Sequence, residues 1–125
     1  MMSDRGERPP AFVLLESPFA ADTEEGLRAN RDYAMEAMRD ALMNHHEAPF
    51  ASHLLYTQML DDTVPLERHI GIEAGLAIGM FAERTVVYID QGISRGMQYG
   101  IDNAKAAGRP IEYRSLNNFP TSFEE

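Results

Sequence analysis

Thr85-Val-Val-Tyr-Ile-Asp90-Gln-Gly92-Ile-Ser94-Arg95-Gly96-Met-Gln98-Tyr-Gly100-Ile-Asp-Asn-Ala-Lys-Ala-Ala-Gly108-Arg109-Pro110 is the stretch whose reading decides the fold. Thr85 to Ile89 is β-branched and aromatic throughout, which predicts a strand. A glycine-bearing loop follows, and Ser94 suits the N-cap of a helix running to about Ala107. Gly108 is placed as that helix's C-terminal cap and Pro110 lies just past it, the usual asymmetry of helix stops. In an α/β protein such a junction brings loop atoms and free helical N–H groups to the carboxyl edge of a sheet, where small ligands bind.

Working outward, Ala11-Phe-Val-Leu-Leu15 is a short apolar run that suits a strand covered on both faces. It ends in Glu16-Ser17-Pro18-Phe19, where Pro18 cannot extend a ladder and the chain turns. From Thr23 a helix is predicted to Met43 or Asn44, with Leu27, Tyr33 or Ala34, Ala37, Met38, Ala41 and Leu42 as its apolar stripe. The centre of the stretch 48–56 is predicted as a second strand, with His53 late in it. Asp61-Asp62-Thr63-Val-Pro65 reads as the entry to a helix ending near Ala82. Leu66, Ile70, Ala74, Ala77, Ile78 and Phe81 mark its expected buried face, while Gly71, Gly75 and Gly79 leave a groove for close packing. Ile111 to Arg114 makes a last short strand. The alternation βαβαβαβ predicts an α/β fold: a small parallel sheet of four or five strands in a Rossmann- or flavodoxin-like three-layer α/β/α sandwich.

With 125 residues the chain is read as one domain over 11–114, between a disordered arm at 1–10 and a polar tail at 115–125. Twenty acidic against 11 basic residues leave a formal net charge of -9, which would repel a polyphosphate backbone, so no nucleic acid is expected as partner. No apolar run approaches the roughly 20 residues of a bilayer-spanning helix, and the polar N-terminus lacks the apolar core of a secretory signal. A cytoplasmic protein with no membrane partner is the expectation. The absence of cysteine excludes disulfides, thiolate metal sites and a cysteine nucleophile.

Asp90 to Gly96 combine a carboxylate, two glycines, Ser94 and Arg95, which suit a phosphate or ribose; the same residue types also cap turns and helices, and both readings stand. Ser17, Pro18 and Phe19 flank the same crevice if the first strand neighbours the third. Phe19 either stacks on a base or plugs the core. Of His45, His46, His53 and His69, none has the helix-borne zinc spacing with a glutamate, so no metal is expected. His53 is the histidine placed to reach the crevice, with a half-buried, hydrogen-bonded imidazole as the alternative. Glu67 and Arg68 read as dipole compensation and solvated charge. Glu73, between small residues, is expected to be partly buried. The eight methionines read as flexible filler, and no cofactor is called for.

With both loops placed, the sequence resembles the nucleoside 2-deoxyribosyltransferase superfamily over Ala11 to about Tyr113. The carriers are Ser17-Pro18-Phe19 after the first strand, and Val87-Tyr88-Ile89-Asp90 leading to Gly96-Met97-Gln98-Tyr99-Gly100 and Gly108-Arg109-Pro110. It is also similar to a protein family common in phage genomes, through Ala48-Pro49-Phe50-Ala51-Ser52-His53 and Gly92-Ile93-Ser94-Arg95-Gly96-Met97. The resemblance implies a small Rossmann-like domain, a nucleoside or nucleotide as small-molecule partner, and a homo-oligomer. In the superfamily the Gly-x-x-x-Gly segment carries a glutamate that attacks the anomeric carbon. The matching position here is Gln98, whose neutral amide cannot attack but can hydrogen-bond a ribose hydroxyl. The expected ligand contacts are Ser17, Pro18, Phe19, His53, Asp90, Gly92, Ser94, Arg95, Gly96 and Gln98; the catalytic candidates are Asp90, Gln98 and Glu73. Two functions stay open: a binding protein of this fold without the covalent nucleophile, or an active N-glycosidase or deoxyribosyltransferase whose carboxylate comes from Asp90, Glu73 or Glu16.

Overall fold

In the computed structural model, residues 8–116 are described; the expected N-terminal arm and C-terminal tail fall largely outside them. The element order is β1 (Ala11–Glu16), α1 (Glu24–Asn44), β2 (Glu47–Phe50), α2 (Ser52–Leu55), a 3-10 turn (Tyr56–Gln58), α3 (Pro65–Gly79), β3 (Arg84–Tyr88), α4 (Arg95–Ala106) and β4 (Ile111–Arg114). The four strands form one parallel sheet in the order β2-β1-β3-β4. Leu14 lies level with Phe50 on one side and Thr85 on the other. The strand order reverses at β1, so the chain leaves β1 and β3 in opposite directions and opens a crevice at their carboxyl ends.

Helix α1 covers one face of the sheet. Thr23 caps it, its Oγ1 accepting the Gly26 N–H at 3.0 Å, and Glu24 and Glu25 complement the dipole of the first turn. Tyr33, Ala34, Ala37 and Ala41 are buried, and Tyr33 and Ala37 pack with Val13, Leu15, Val86 and Tyr88. Leu42, expected in the stripe, lies half exposed. Under α1 a buried polar network ties three strands together. Arg114 forks onto Glu47 (Nη1–Oε1 2.9 Å, Nη2–Oε2 2.6 Å), and its Nη1 also donates to the Tyr88 hydroxyl, which donates to Asp40 at 2.8 Å. The two charges are compensated by bidentate geometry, the condition for carrying a carboxylate into a core.

Helices α3 and α4 cover the other face. Met97 and Ile101 of α4 pack on Val87. Helix α3 corrects the expected orientation: Leu66 and Phe81 are 67% and 78% exposed, Ile70 is also exposed, and the buried positions are Gly75 and Gly79. The glycine stripe itself is the packing face. A Cβ on Gly79 would overlap Leu14 Cδ1 at 2.5 Å, and one on Gly75 would meet Ser52 Oγ at 2.8 Å. Backbone approach to β1 and α2 outweighs the burial of a few larger side chains, and those are left outside. The helix stops at Gly79 rather than near Ala82. Glu73, expected to be partly buried, is exposed and paired with His69 at 3.2 Å.

The second strand also differs. It is only Glu47–Phe50, and His53 lies on α2 instead of in the strand. β2 is an edge strand, which tolerates Pro49, while Ser52-His-Leu-Leu-Tyr56 lacks β-branched residues and carries two good helix formers. Among the described residues no helix is long and apolar enough to cross a membrane.

Candidate functional site

The crevice is a cavity of about 330 Å³ between α3 and α4, floored by the last residues of β1. Phe19, Phe50, Tyr56 and Tyr99 supply aromatic wall, and Gly71, Gly75, Gly96 and Gly100 set the width between the helices. Its size and mainly apolar lining with a few polar groups fit a small-molecule site.

Glu16, at the end of β1, lines the cavity. Strand alternation turns it toward the α3/α4 face with Leu14, and its carboxyl rests against α4 at Gly100, where a Cβ would lie 2.5 Å from Cδ and 2.9 Å from Oε1. Only glycine at position 100 leaves room for the carboxyl there. Burial pushes the Glu16 carboxyl from its ordinary 4.5 up to about 8, against the pull of the Arg109 guanidinium. At neutral pH Glu16 therefore holds a proton. Beside it, Ser17 Oγ and His53 Nε2 are hydrogen-bonded at 2.9 Å, and the Phe19 ring meets the imidazole edge-on with centroids 6.4 Å apart. Burial takes the His53 imidazole down to about 4, so it is neutral at pH 7.

Six of the residues expected at the ligand line this cavity: Ser17, Phe19, His53, Ser94, Arg95 and Gly96. Ser94 also caps α4, its Oγ accepting the Met97 N–H at 3.2 Å. The remaining candidates lie elsewhere. Pro18 is buried behind the turn, and Gly92 (φ 85) is the left-handed residue of an exposed turn, its N–H donating to the Ile89 carbonyl. Gln98 points outward and donates to Asp102 at 2.9 Å. Glu73 sits on the outer side of α3. Asp90 is buried against α1, where its Oδ2 accepts from the Tyr33 hydroxyl at 2.6 Å and from the Leu116 N–H at 2.9 Å. Its Oδ1 has no hydrogen-bond partner among the described residues. Arg109, read from the sequence only as part of a helix stop, lines the cavity; a cation just past a capping glycine carried no further signal. Among the described residues no group of three or more His, Asp or Glu side chains is arranged to hold a metal ion.

Residues 11–114 match the model of a family described as "Domain of unknown function (DUF7768)". The chain belongs to that family. No curated protein matches the DUF7768 chain. Its fold is that of a solved 2-deoxyribosyltransferase from the psychrotolerant bacterium Bacillus psychrosaccharolyticus, with a TM-score of 0.60 over 91% of this chain and 79% of that one. At 18% identity the likeness is one of fold. It agrees with the Rossmann-type α/β architecture of this DUF7768 domain.

Proposed function

We propose that the cavity binds a nucleoside or nucleotide and that Glu16 drives cleavage of its N-glycosidic bond. The observation that carries this reading is the Glu16 carboxyl itself, held in a small-molecule cavity against Gly100, where burial raises its pKa. A carboxylic acid so perturbed by apolar surroundings suits a general acid. In the proposed step the C1′–N bond breaks with its electron pair passing to the base, and the Glu16 proton moves to a ring nitrogen of that base. Water adds hydroxide to C1′ and its proton restores the carboxyl. A second base in place of water would give transfer, the reaction named for the enzyme that shares the fold. The aromatic walls suit the faces of a base, and the Ser17–His53 pair and Arg95 offer polar contacts to the sugar side.

A second reading, binding without turnover, is favoured by one observation. Gln98, the counterpart of the superfamily's nucleophile, faces away from the cavity, and the segment from Gly96 to Gly100 presents no carboxylate of its own. Chromatographic detection of free base, from nucleosides and their 5′-monophosphates, separates the two when run beside calorimetric binding. Release by the wild type that is lost in Glu16→Gln supports the first. Binding with no release from any common substrate selects the second, and the absence of both removes the nucleoside altogether.

The protein is further read as a homo-oligomer, supported by the apolar ridge of Leu66, Ile70, Met80 and Phe81 left exposed by the glycine packing of α3. A monomer at all concentrations in sedimentation would remove that part.

A further inference from the structure

The guanidinium of Arg109 is held by three separate elements. Its Nε donates to Thr85 Oγ1 of β3 at 3.0 Å, its Nη1 to the Gly79 carbonyl closing α3 at 3.1 Å, and its Nη2 to Asn103 Oδ1 of α4 at 3.0 Å. Asn103 lies one helical turn from Gly100, against which the Glu16 carboxyl rests, and both α4 positions line the cavity together with Arg109 and Glu16. A side chain pinned at every nitrogen cannot swing away when the cavity fills or empties, and arginine remains charged at all relevant pH.

We propose that Arg109 is the positioning residue of this site, a fixed positive charge that acts through Glu16 and sets the pH range over which Glu16 exchanges its proton. The inference rests on the reading of Glu16 as the working carboxyl. The other charged or titratable groups facing the cavity are His53 of α2, Asp62 ahead of α3, Glu67 and Arg68 of α3, Arg95 of α4, and the phenols of Tyr56 and Tyr99. Arg68 is spent on Asp62 at 2.9 Å, Glu67 Oε1 accepts the Asp61 N–H at 2.7 Å, and His53 is neutral at pH 7. Arg95 is exposed at the mouth, where water screens it. Arg109 is the one cation of the group both fixed and enclosed with the carboxyl, and its attraction opposes the desolvation that raises Glu16. Without it the site would lock in the acid form, unable to cycle its proton near neutral pH.

The test is a carbon-13 NMR titration of the Glu16 carboxyl, assigned by its loss in Glu16→Gln, in the full-length wild type and in Arg109→Gln, Arg109→Lys and Asn103→Leu. Arg109→Gln is expected to move the midpoint upward by about one unit or more. Arg109→Lys keeps the charge and should move it less. A midpoint in Arg109→Gln equal to or below the wild type overturns the proposal. If Arg109→Gln fails to fold, Asn103→Leu decides, because it frees one end of the guanidinium and should give a smaller upward shift; an unchanged midpoint there is equally fatal. A wild-type midpoint near 4.5 counts against Glu16 as the proton-loaded acid. The difference between variant and wild type tests Arg109 alone.

Discussion

Gly100→Ala should switch off the Glu16 carboxyl while leaving residue 16 a glutamate. The added methyl would overlap Oε2 and lie 2.5 Å from Cδ and 2.9 Å from Oε1 of Glu16. Ordinary contacts between such atoms are about 3.5 Å, so the carboxyl must retreat by about 1 Å or more. A glutamate end can do so by rotating toward the open mouth, whereas the α4 backbone cannot yield without disturbing Met97 and Ile101 on Val87. Misplacement of a reacting group by about 1 Å costs on the order of 100-fold in rate. The substitution itself favours the helix, since alanine is better than glycine in a helix interior by about 1 kcal/mol. The expected result is a melting temperature equal to or above the wild type, base release down by about 100-fold, and a Glu16 midpoint falling from about 8 toward 4.5 as water reaches the group. Thermal melts, chromatography and the carboxyl titration read these three independently. A Glu16 midpoint still near 8 in a folded Gly100→Ala protein would refute the packing argument, whatever the activity.

Glu16 also makes stability depend on pH. Its native pKa is raised to about 8 from 4.5, so between those values the native state binds the proton more tightly than the unfolded chain. Stability therefore falls as pH rises from about 4.5 to about 8, by at most a few kcal/mol. Glu16→Gln should flatten that part of the profile in urea titrations, and an unchanged slope would argue against the buried acid. Gly79→Ala places a methyl 2.5 Å from Leu14 Cδ1 and should destabilise by about 1–3 kcal/mol in denaturant melts, in contrast to Gly100→Ala, although both lie on helices. A neutral result at Gly79 would mean that α3 is free to shift on β1. Arg114→Met leaves Glu47 buried beside the Tyr88 hydroxyl with only the half-buried Arg84 for charge, and should cost about 3–5 kcal/mol, with much of the loss recovered when Glu47→Gln is added. Equal stabilities for the single and double variants would show the two side chains to be uncoupled.

The fold was legible wherever a single force acts on a segment. β1 and β3 are apolar or β-branched runs of strand length, α1 opens on a threonine that does cap it, and α4 lies between Ser94 and Gly108 as its end signals require. Misreading began where two forces compete. In α3 the large apolar residues suggested one buried face and the glycines another, and no periodicity rule weighs backbone approach against side-chain area. The glycines won because Leu14 and Ser52 reach into the space they leave, from 65 residues before Gly79 and 23 before Gly75, so that tertiary packing overrides local propensity. The stretch after Phe50 was misread for a related reason: its edge position and the short helix that follows are set by neighbours absent from a local window.

The site was legible in outline and obscure in detail because a motif read along the chain does not say which way each residue faces. Gln98 and Gly100 are two residues apart in α4, about 200° around the helix axis, so one faces Asp102 and solvent while the other faces the cavity. Gly96, Gly100 and Asn103 share the cavity side at helical spacing, and none of them bears a carboxylate. What the helix leaves open, the strand fills: Glu16 ends β1 on the side of Leu14 and reaches the space above Gly100. Chemistry at a sugar requires a carboxyl at a point in space and is indifferent to which element delivers it. The lack of a carboxylate between Gly96 and Gly100 speaks against a nucleophile delivered by α4 and leaves open an acid delivered by β1, and the glycine at position 100 is where the two elements meet.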